Sequence, residues 1–495
     1  MTNRSTPAGV YRGTNRLIVG IVLAVITFWL FAQTTLNIAP AMRADLKISE
    51  SLNNIAVSIT SLFSGIFIVV AGSLADRLGR VRLTNVGLAL SILGSLLIAM
   101  SPSATVVFLM AGRIIQGLSA ACIMPATLAL MKDYFDGKDR QRALSFWSIG
   151  SWGGSGVCSL FGGLVASTLG WRWIFWMSIA VAVLSYFLIK GTPESRMPDA
   201  GHSRFDWTGF IAFIIAMVAV NLVIGQGSAL GWLSPMVIGL SIAFAVAAVV
   251  FFKVESGNPA SFVDLSLFQN KSYSGATLSN FLLNGAAGTL LVALSLVQQA
   301  TGLSSMQSGL LTVGYLVAIL STIRVGEKLL QRMGARKPML LGTAITGCGI
   351  LLTTFTFLLA SQYMVVAFLG FTLFGIGLGF YATPSTDAAL SNVPGDKAGA
   401  ASGIYKMASS LGSAFGVAIS AALFTALRSS DSTLVPLLSE VFLGKTSNID
   451  IRFAAGMALL FNLFMVVFAY VAIAATVPKD DPRSSVSLVG APANA

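Results

Sequence analysis

Gly72-Ser-Leu-Ala-Asp-Arg-Leu-Gly-Arg-Val-Arg-Leu83 places one Asp and three Arg between two long apolar runs. Upstream, Asn53 to Ala75 is apolar enough to span a bilayer, and Leu83 to Met100 is nearly so. Two spanning helices joined by so short a polar stretch must form a hairpin, and its basic tip should face the cytoplasm. Gly72 and Gly79 suit a tight turn and close helix approach. Asp76 can pair with an Arg or meet the N-terminus of a helix.

The rest of the chain repeats this pattern. Its 495 residues are 55% hydrophobic and 10% charged, the composition of an integral membrane protein. Each run of about 20 apolar residues matches a helix crossing a ~30 Å hydrocarbon core. The net charge of +12 invites a nucleic-acid reading, which its distribution excludes. Of 31 Lys and Arg, 23 fall in segments assigned to the cytoplasm, six outside and two within spans. That is the positive-inside bias of a membrane topology. Cys122, Cys158 and Cys348 lie singly in apolar runs, so neither a disulfide nor a metal site is indicated. The segment 1–16 is polar and basic with no small-residue cleavage site, and the first apolar run is expected to be a retained helix.

Fourteen spans are expected, all helical. A cytoplasmic N-terminus (1–16) precedes a six-helix half (17–190) and a linker (191–206). An inserted pair (207–252), a second linker (253–274), a second six-helix half (275–477) and a cytoplasmic tail (478–495) follow. The loop Lys132–Arg142 is cytoplasmic by its four cations. His202, the only histidine, lies in the first linker and cannot relay protons within the membrane. Arg324–Lys337 reads as a degraded copy of the opening stretch. Asp139-Arg-Gln-Arg-Ala-Leu-Ser145 and Asp396-Lys-Ala-Gly-Ala-Ala-Ser402 repeat at an offset of 257 residues. Pro125-Ala-Thr127 and Pro384-Ser-Thr386 match nearby. Two related halves predict a cavity between them.

Polar residues inside spans are the candidate machinery, because burying them in hydrocarbon is costly. Arg113 lies in span four and should be partnered and face the bundle interior, as a structural Arg bonded to carbonyls would be. Asp387 is the only carboxylate inside an assigned span, and Lys406 is the matching cation of span thirteen. The two are expected at similar depth on adjacent antiparallel helices. They could form a proton-coupling pair or a permanent ion pair. Trp29, Phe31, Gln33, Trp147, Trp152, Phe281, Tyr315, Tyr381 and Tyr405 could line a cavity that holds planar amphiphiles by stacking and cation–π contact. The glycines of span five, Gly150, Gly154, Gly162 and Gly163 among them, allow close packing and bending.

The opening stretch, G-x-L-A-D-R-x-G-R-x-x-L, resembles the loop signature between the second and third helices of the major facilitator superfamily. Leu118–Thr127, Arg140–Ser145, Trp147–Ser159, Tyr381–Asp387 and Gly403–Ser409 extend the likeness. Together they resemble the 14-helix drug:proton antiporters of that superfamily, specifically the Nor-type quinolone and multidrug exporters of bacteria. The resemblance implies a monomer in the bacterial cytoplasmic membrane, both termini cytoplasmic, with no cofactor and no enzymatic activity. It implies proton-coupled export of amphipathic drugs, with Gly72, Asp76, Arg77, Gly79 and Arg80 as a conformational switch and Arg113 linked to proton transfer. Export of a single metabolite or lipid is the alternative. Two departures stand out. Span five has Cys158-Ser159 where the family carries Gly-Pro, which should remove a proline kink. Span one reads Phe31-Ala-Gln-Thr-Thr-Leu-Asn37, without the Asp of many relatives. A single membrane carboxylate beside Lys406 and Arg113 favours zwitterionic or anionic drugs over dications.

Overall fold

The computed structural model describes residues 12–48, 50–103, 105–196, 206–257, 265–301, 310–391, 393–428, 441–443 and 448–479. His202, residues 429–440 and 444–447 of the long loop near the C-terminus, and the tail from 480 lie outside the described residues.

Long apolar runs fold as helices because only a helix satisfies each peptide group within its own segment when water is excluded. The N-terminal helices are α1 (Asn15–Ile26), α2 (Thr35–Leu46), α3 (Glu50–Leu78), α4 (Arg80–Ala99) and α5 (Val107–Tyr134). They continue with α6 (Gly137–Ser148), α7 (Gly154–Thr168) and α8 (Arg172–Ile189). The pair α9 (Trp207–Leu230) and α10 (Pro235–Gly257) follows, and then α11 (Lys271–Gly285) and α12 (Gly288–Thr301). The chain ends in α13 (Val313–Met333), α14 (Arg336–Thr353), α15 (Ala360–Ser391), α16 (Ala398–Arg428) and α17 (Ile449–Thr476). Asp206 caps α9 by accepting from Gly209 N at 2.9 Å, and Asn270 caps α11 by accepting from Tyr273 N at 3.1 Å.

Among the described residues, twelve helices are long and apolar enough to cross a membrane, thirteen with one bent pair counted as a span. The fourteenth expected crossing falls on α14, an 18-residue helix that opens with the charged pair Arg336-Lys337 and is not among the twelve. It nevertheless packs along α15 and α17.

The bent pair is span five, and it corrects an expectation. The helix turns by 52° between Cys158 and Leu160, although no proline is present. The Thr34 hydroxyl of span one lies between Leu30 O of its own helix and Cys158 O, the latter 3.1 Å away, and the Cys158 thiol donates to Ser155 O at 2.9 Å. A side chain inserted into a helix ladder is a recognised cause of a kink. Spans one and five each also contain one π-helical stretch, Thr27–Ala32 and Ile149–Gly153.

Helices α1–α8 form one bundle, with α5 against α3 and α4, and α8 against α1 and α4. Helices α11–α17 form a second, with α15 between α13 and α14, and α17 against α11, α14 and α16. The bundles meet where α16 crosses α3 and α5 and where α6 lies on α13 and α15. Helices α9 and α10 pack chiefly on each other, α9 also touching α3 and α16. Pro125 and Pro384 lie inside α5 and α15, as the internal repeat requires.

Candidate functional site

The end of the molecule carrying Gly72–Leu83 is where the two bundles are fastened. Gly79 at φ +113° makes the break between α3 and α4, a conformation glycine adopts without strain. Asp76 is buried and turned towards the other bundle. Its Oδ1 accepts from Gly399 N and its Oδ2 from Ala400 N, both at 3.0 Å. These are orphan donors of the first turn of α16, so the carboxylate sits where the helix dipole favours an anion. Arg80, 1% exposed, holds Asp76 in place through Nε at 3.0 Å and Nη2 at 2.7 Å. It also pairs with Asp133 and donates to Gly395 O at 2.7 Å, thereby reaching the second bundle. Gly72 lies against Gly399, where a Cβ on either would strike the other's carbonyl oxygen. Arg77 is half-buried beside this cluster.

Asp387 and Lys406 are both buried, but they are not partners. Asp387 Oδ1 instead receives Arg140 Nε at 3.2 Å. Arg140 also donates to Ser391 Oγ at 3.0 Å, and Ser391 donates back to Asp387 O at 2.6 Å. Arg140 belongs to the first bundle and Asp387 to the second, so this ion pair bridges the halves. Two features of the structure keep the expected pair from forming. Arg140 lies in the first turn of α6 and not in a loop, which aims it at α15. Lys406 is turned to α6, with Nζ 4.2 Å from the Trp147 ring centre and 5.7 Å from that of Tyr405.

A chain of hydroxyls runs beside them. Ser279 Oγ and Tyr381 OH are 2.7 Å apart, Ser385 donates to Tyr381 OH at 2.8 Å, and Ser385 and Tyr405 OH are 2.9 Å apart. Thr386, next to Asp387 in the chain, lies 3.4 Å from Tyr405 OH. Trp147 is fixed by donating Nε1 to Thr127 Oγ1 at 3.1 Å.

The other expected cavity aromatics do not converge on this cluster. Phe31 is edge-on to Phe161 in the core formed by Ile38, Met42 and Phe175. Tyr315 packs on Phe374, and Phe281 on Phe415. Trp29 packs edge-on to Phe28, and its indole Nε1 is buried without a hydrogen-bond partner among the described residues. Gln33 and Trp152 are half-buried. Trp147, Tyr381 and Tyr405 are the three that meet around Lys406 and the hydroxyl chain.

Arg113 serves carbonyls. Its Nε donates to Ala56 O and its Nη1 to Ala32 O, each at 2.8 Å, and Nη1 also reaches Gln116 Oε1 at 2.9 Å. Ala32 closes the π-helical stretch of span one, so Arg113 secures that distortion. In span five, Gly150, Gly154 and Gly162 face Val22, Trp29 and Thr34 of span one, as close packing requires. Gly163 is the exception, with open space where a Cβ would be.

Four residues of this end escaped sequence reasoning. Asp133 and Arg140 looked like loop charges. Arg140 is nonetheless aligned by the 257-residue repeat with Lys397, a signal that a cation matters there. Glu194 and Ser195 looked like linker. Glu194 accepts from Val81 N and Arg82 N at 2.9 Å, capping α4, and Ser195 Oγ meets both Asp133 and Arg80. The chain leaving α8 is thus tied back onto the Gly72–Leu83 turn. Glu255, within α10, is buried as well, near the buried Asp206 at the start of α9.

A family model described as Major Facilitator Superfamily matches residues 18–417 and 276–493. The quinolone resistance protein NorB of Staphylococcus aureus strain MRSA252 is 50% identical over 471 residues, covering 95% of this chain and 97% of that one. NorB of strain COL is 50% identical over 472 residues, with the same coverage. Among solved structures, the proton:xylose symporter XylE bound to 6-bromo-6-deoxy-D-glucose matches with a TM-score of 0.65. It covers 94% of this chain and 96% of its own at 15% identity, a likeness that speaks for the fold.

Proposed function

Because the chain belongs to the major facilitator superfamily, we propose that this transporter is a proton-coupled exporter of amphipathic drugs, fluoroquinolones among them. The observation that carries this reading is its 50% identity to the quinolone resistance protein NorB over 95% of the chain. Members of the superfamily move solutes, so the chain is a transporter and not an enzyme. The charge asymmetry assigns the Gly72–Leu83 end to the cytoplasm and both termini with it. Fourteen crossings follow if α14 is counted, arranged as the halves 17–190 and 275–477 around the inserted pair 207–252. A single chain contains both halves, and the monomer is the working unit.

In this reading the described form is closed towards the cytoplasm, by Asp76 on the start of α16 and by Arg140 on Asp387. A proton arriving from the outer side neutralises Asp387, removes its attraction for Arg140 and lets the cytoplasmic ends part. Losing the proton inside and taking up drug restores the closed form. The coupling is an exchange because either event, protonation or drug binding, favours a different arrangement of the same halves. The hydroxyl chain from Ser279 to Thr386 gives the proton a polar approach to Asp387. Gly72, Asp76, Arg77, Gly79 and Arg80 act in the switch. Arg113 acts by holding span one.

Norfloxacin uptake into inverted vesicles under an imposed pH gradient tests this. Wild type should accumulate drug, and Asp387→Asn should bind drug without gradient-driven accumulation. Normal transport by Asp387→Asn would remove Asp387 from coupling. A wild type that moves one metabolite and no drug would favour a dedicated exporter.

A further inference from the structure

Lys406 is 5% exposed, and among the described residues no hydrogen bond or ion pair reaches its ammonium. Its surroundings are the faces of Trp147 and Tyr405, at 4.2 and 5.7 Å. Ring faces attract a cation but accept none of its three N–H donors well. A lysine this far inside the protein whose ammonium meets only ring faces needs a reason. The acid that could have met Lys406, Asp387, is engaged by Arg140.

The position supplies the reason. Gly403, about one turn before Lys406 on α16, is at the bundle seam, where a Cβ would come within 2.9 Å of Ile68 O on α3. Lys406 lies just beyond that contact, and the ring it rests on belongs to the opposite half. Parting of the cytoplasmic ends therefore separates Lys406 from Trp147 and exposes a cation, a flat indole and nearby hydroxyls to whatever enters.

We infer that Lys406 and Trp147 form the subsite for the anionic end of the substrate, a carboxylate bound to the ammonium with its attached flat ring against the indole. In the described form Trp147 covers Lys406. In the form open to the cytoplasm the drug takes that place. The subsite predicts a preference for zwitterions over dications, and it makes Lys406 a specificity residue and not the partner of Asp387. It rests on the exporter reading above.

The test compares two drugs and two variants in inverted vesicles, with equilibrium binding in detergent as a second readout. Norfloxacin carries the carboxylate. Its decarboxylated analogue keeps the ring and the amine. Lys406→Gln should raise the KM and Kd for norfloxacin about tenfold or more, the scale of one charge-assisted hydrogen bond. It should change those for the analogue less than about twofold, a difference too small to reflect loss of such a bond. Lys406→Arg should restore most of the norfloxacin affinity. Equal losses for both drugs in Lys406→Gln would make Lys406 structural and overturn the subsite. So would unchanged norfloxacin binding. If wild type binds norfloxacin through its carboxylate but moves neither drug, the exporter reading fails while the subsite stands.

Discussion

The turn Gly72–Leu83 and its counterpart Arg324–Lys337 hold equivalent places in the two bundles, yet they grip the opposite bundle by different means. Aligned on Gly79 and Gly334, the second has Glu327 in place of Gly72, Gln331 in place of Asp76 and Ala335 in place of Arg80. The first turn can therefore press its backbone against α16 and place a buried carboxylate on that helix's N-terminus. The second has neither the small residue nor the acid. Its Glu327 turns back to Arg324 and Gln331 within α13, and the reach across the seam is Arg324 lying 4.7 Å over the Phe146 ring of α6. One side of the closure is a charge-assisted, helix-capping lock, and the other is a cation–π contact. Degeneration of a repeated motif here leaves a weaker fastening at the site related by the repeat.

The two sides should differ most when the carboxylate is removed. Asp76→Ala leaves Arg80 buried with Asp133 as its remaining acid, and should weaken the closed form by about 3 kcal/mol, roughly a hundredfold in population. Gln331→Ala should cost under about 0.5 kcal/mol, a surface-scale effect. The modification rate of a cysteine at Val393 by an impermeant maleimide reads both, in a background lacking the native cysteines. Equal rates in the two variants would break the asymmetry. Next in size is Gly72→Leu, whose side chain meets the Gly399 carbonyl. Overpacking of about 1–3 kcal/mol should slow gradient-driven efflux some ten- to hundredfold with normal insertion. Smallest is Phe146→Leu, which removes the ring under Arg324. A loss near 0.5–1 kcal/mol should lower efflux by about two- to fivefold.

Much of this was legible in the sequence, because the signals are local. Asp76 and Gly79 carry a fixed spacing, the repeat at 139 and 396 relates the halves, and Asp387 and Lys406 stand out as charges inside apolar runs. What was not legible depends on how separate helices approach. Asp387 takes Arg140 and not Lys406, because α6 begins at Gly137 and docks on α15 across the seam. Span five bends without proline, at the point where Thr34 of another helix wedges its hydroxyl against Cys158 O. Phe31 fills the first bundle's own core against Phe161, a choice that hydrophobicity alone cannot make. Glu194 and Ser195 return to the turn through a linker with no periodicity to mark them.

The claim that joins these parts is that protonation of Asp387 releases Arg140 and opens the cytoplasmic ends. Spin labels at the exposed Lys138 and Lys271, at the same end of opposite bundles, report that opening as a distance in proteoliposomes. The wild-type distance should lengthen as pH falls, because the carboxylate loses its charge and the ion pair with it. Asp387→Asn, neutral at every pH, should stay at the long distance throughout. An Asp387→Asn protein that remains short, or that follows the wild-type pH curve, would contradict the account.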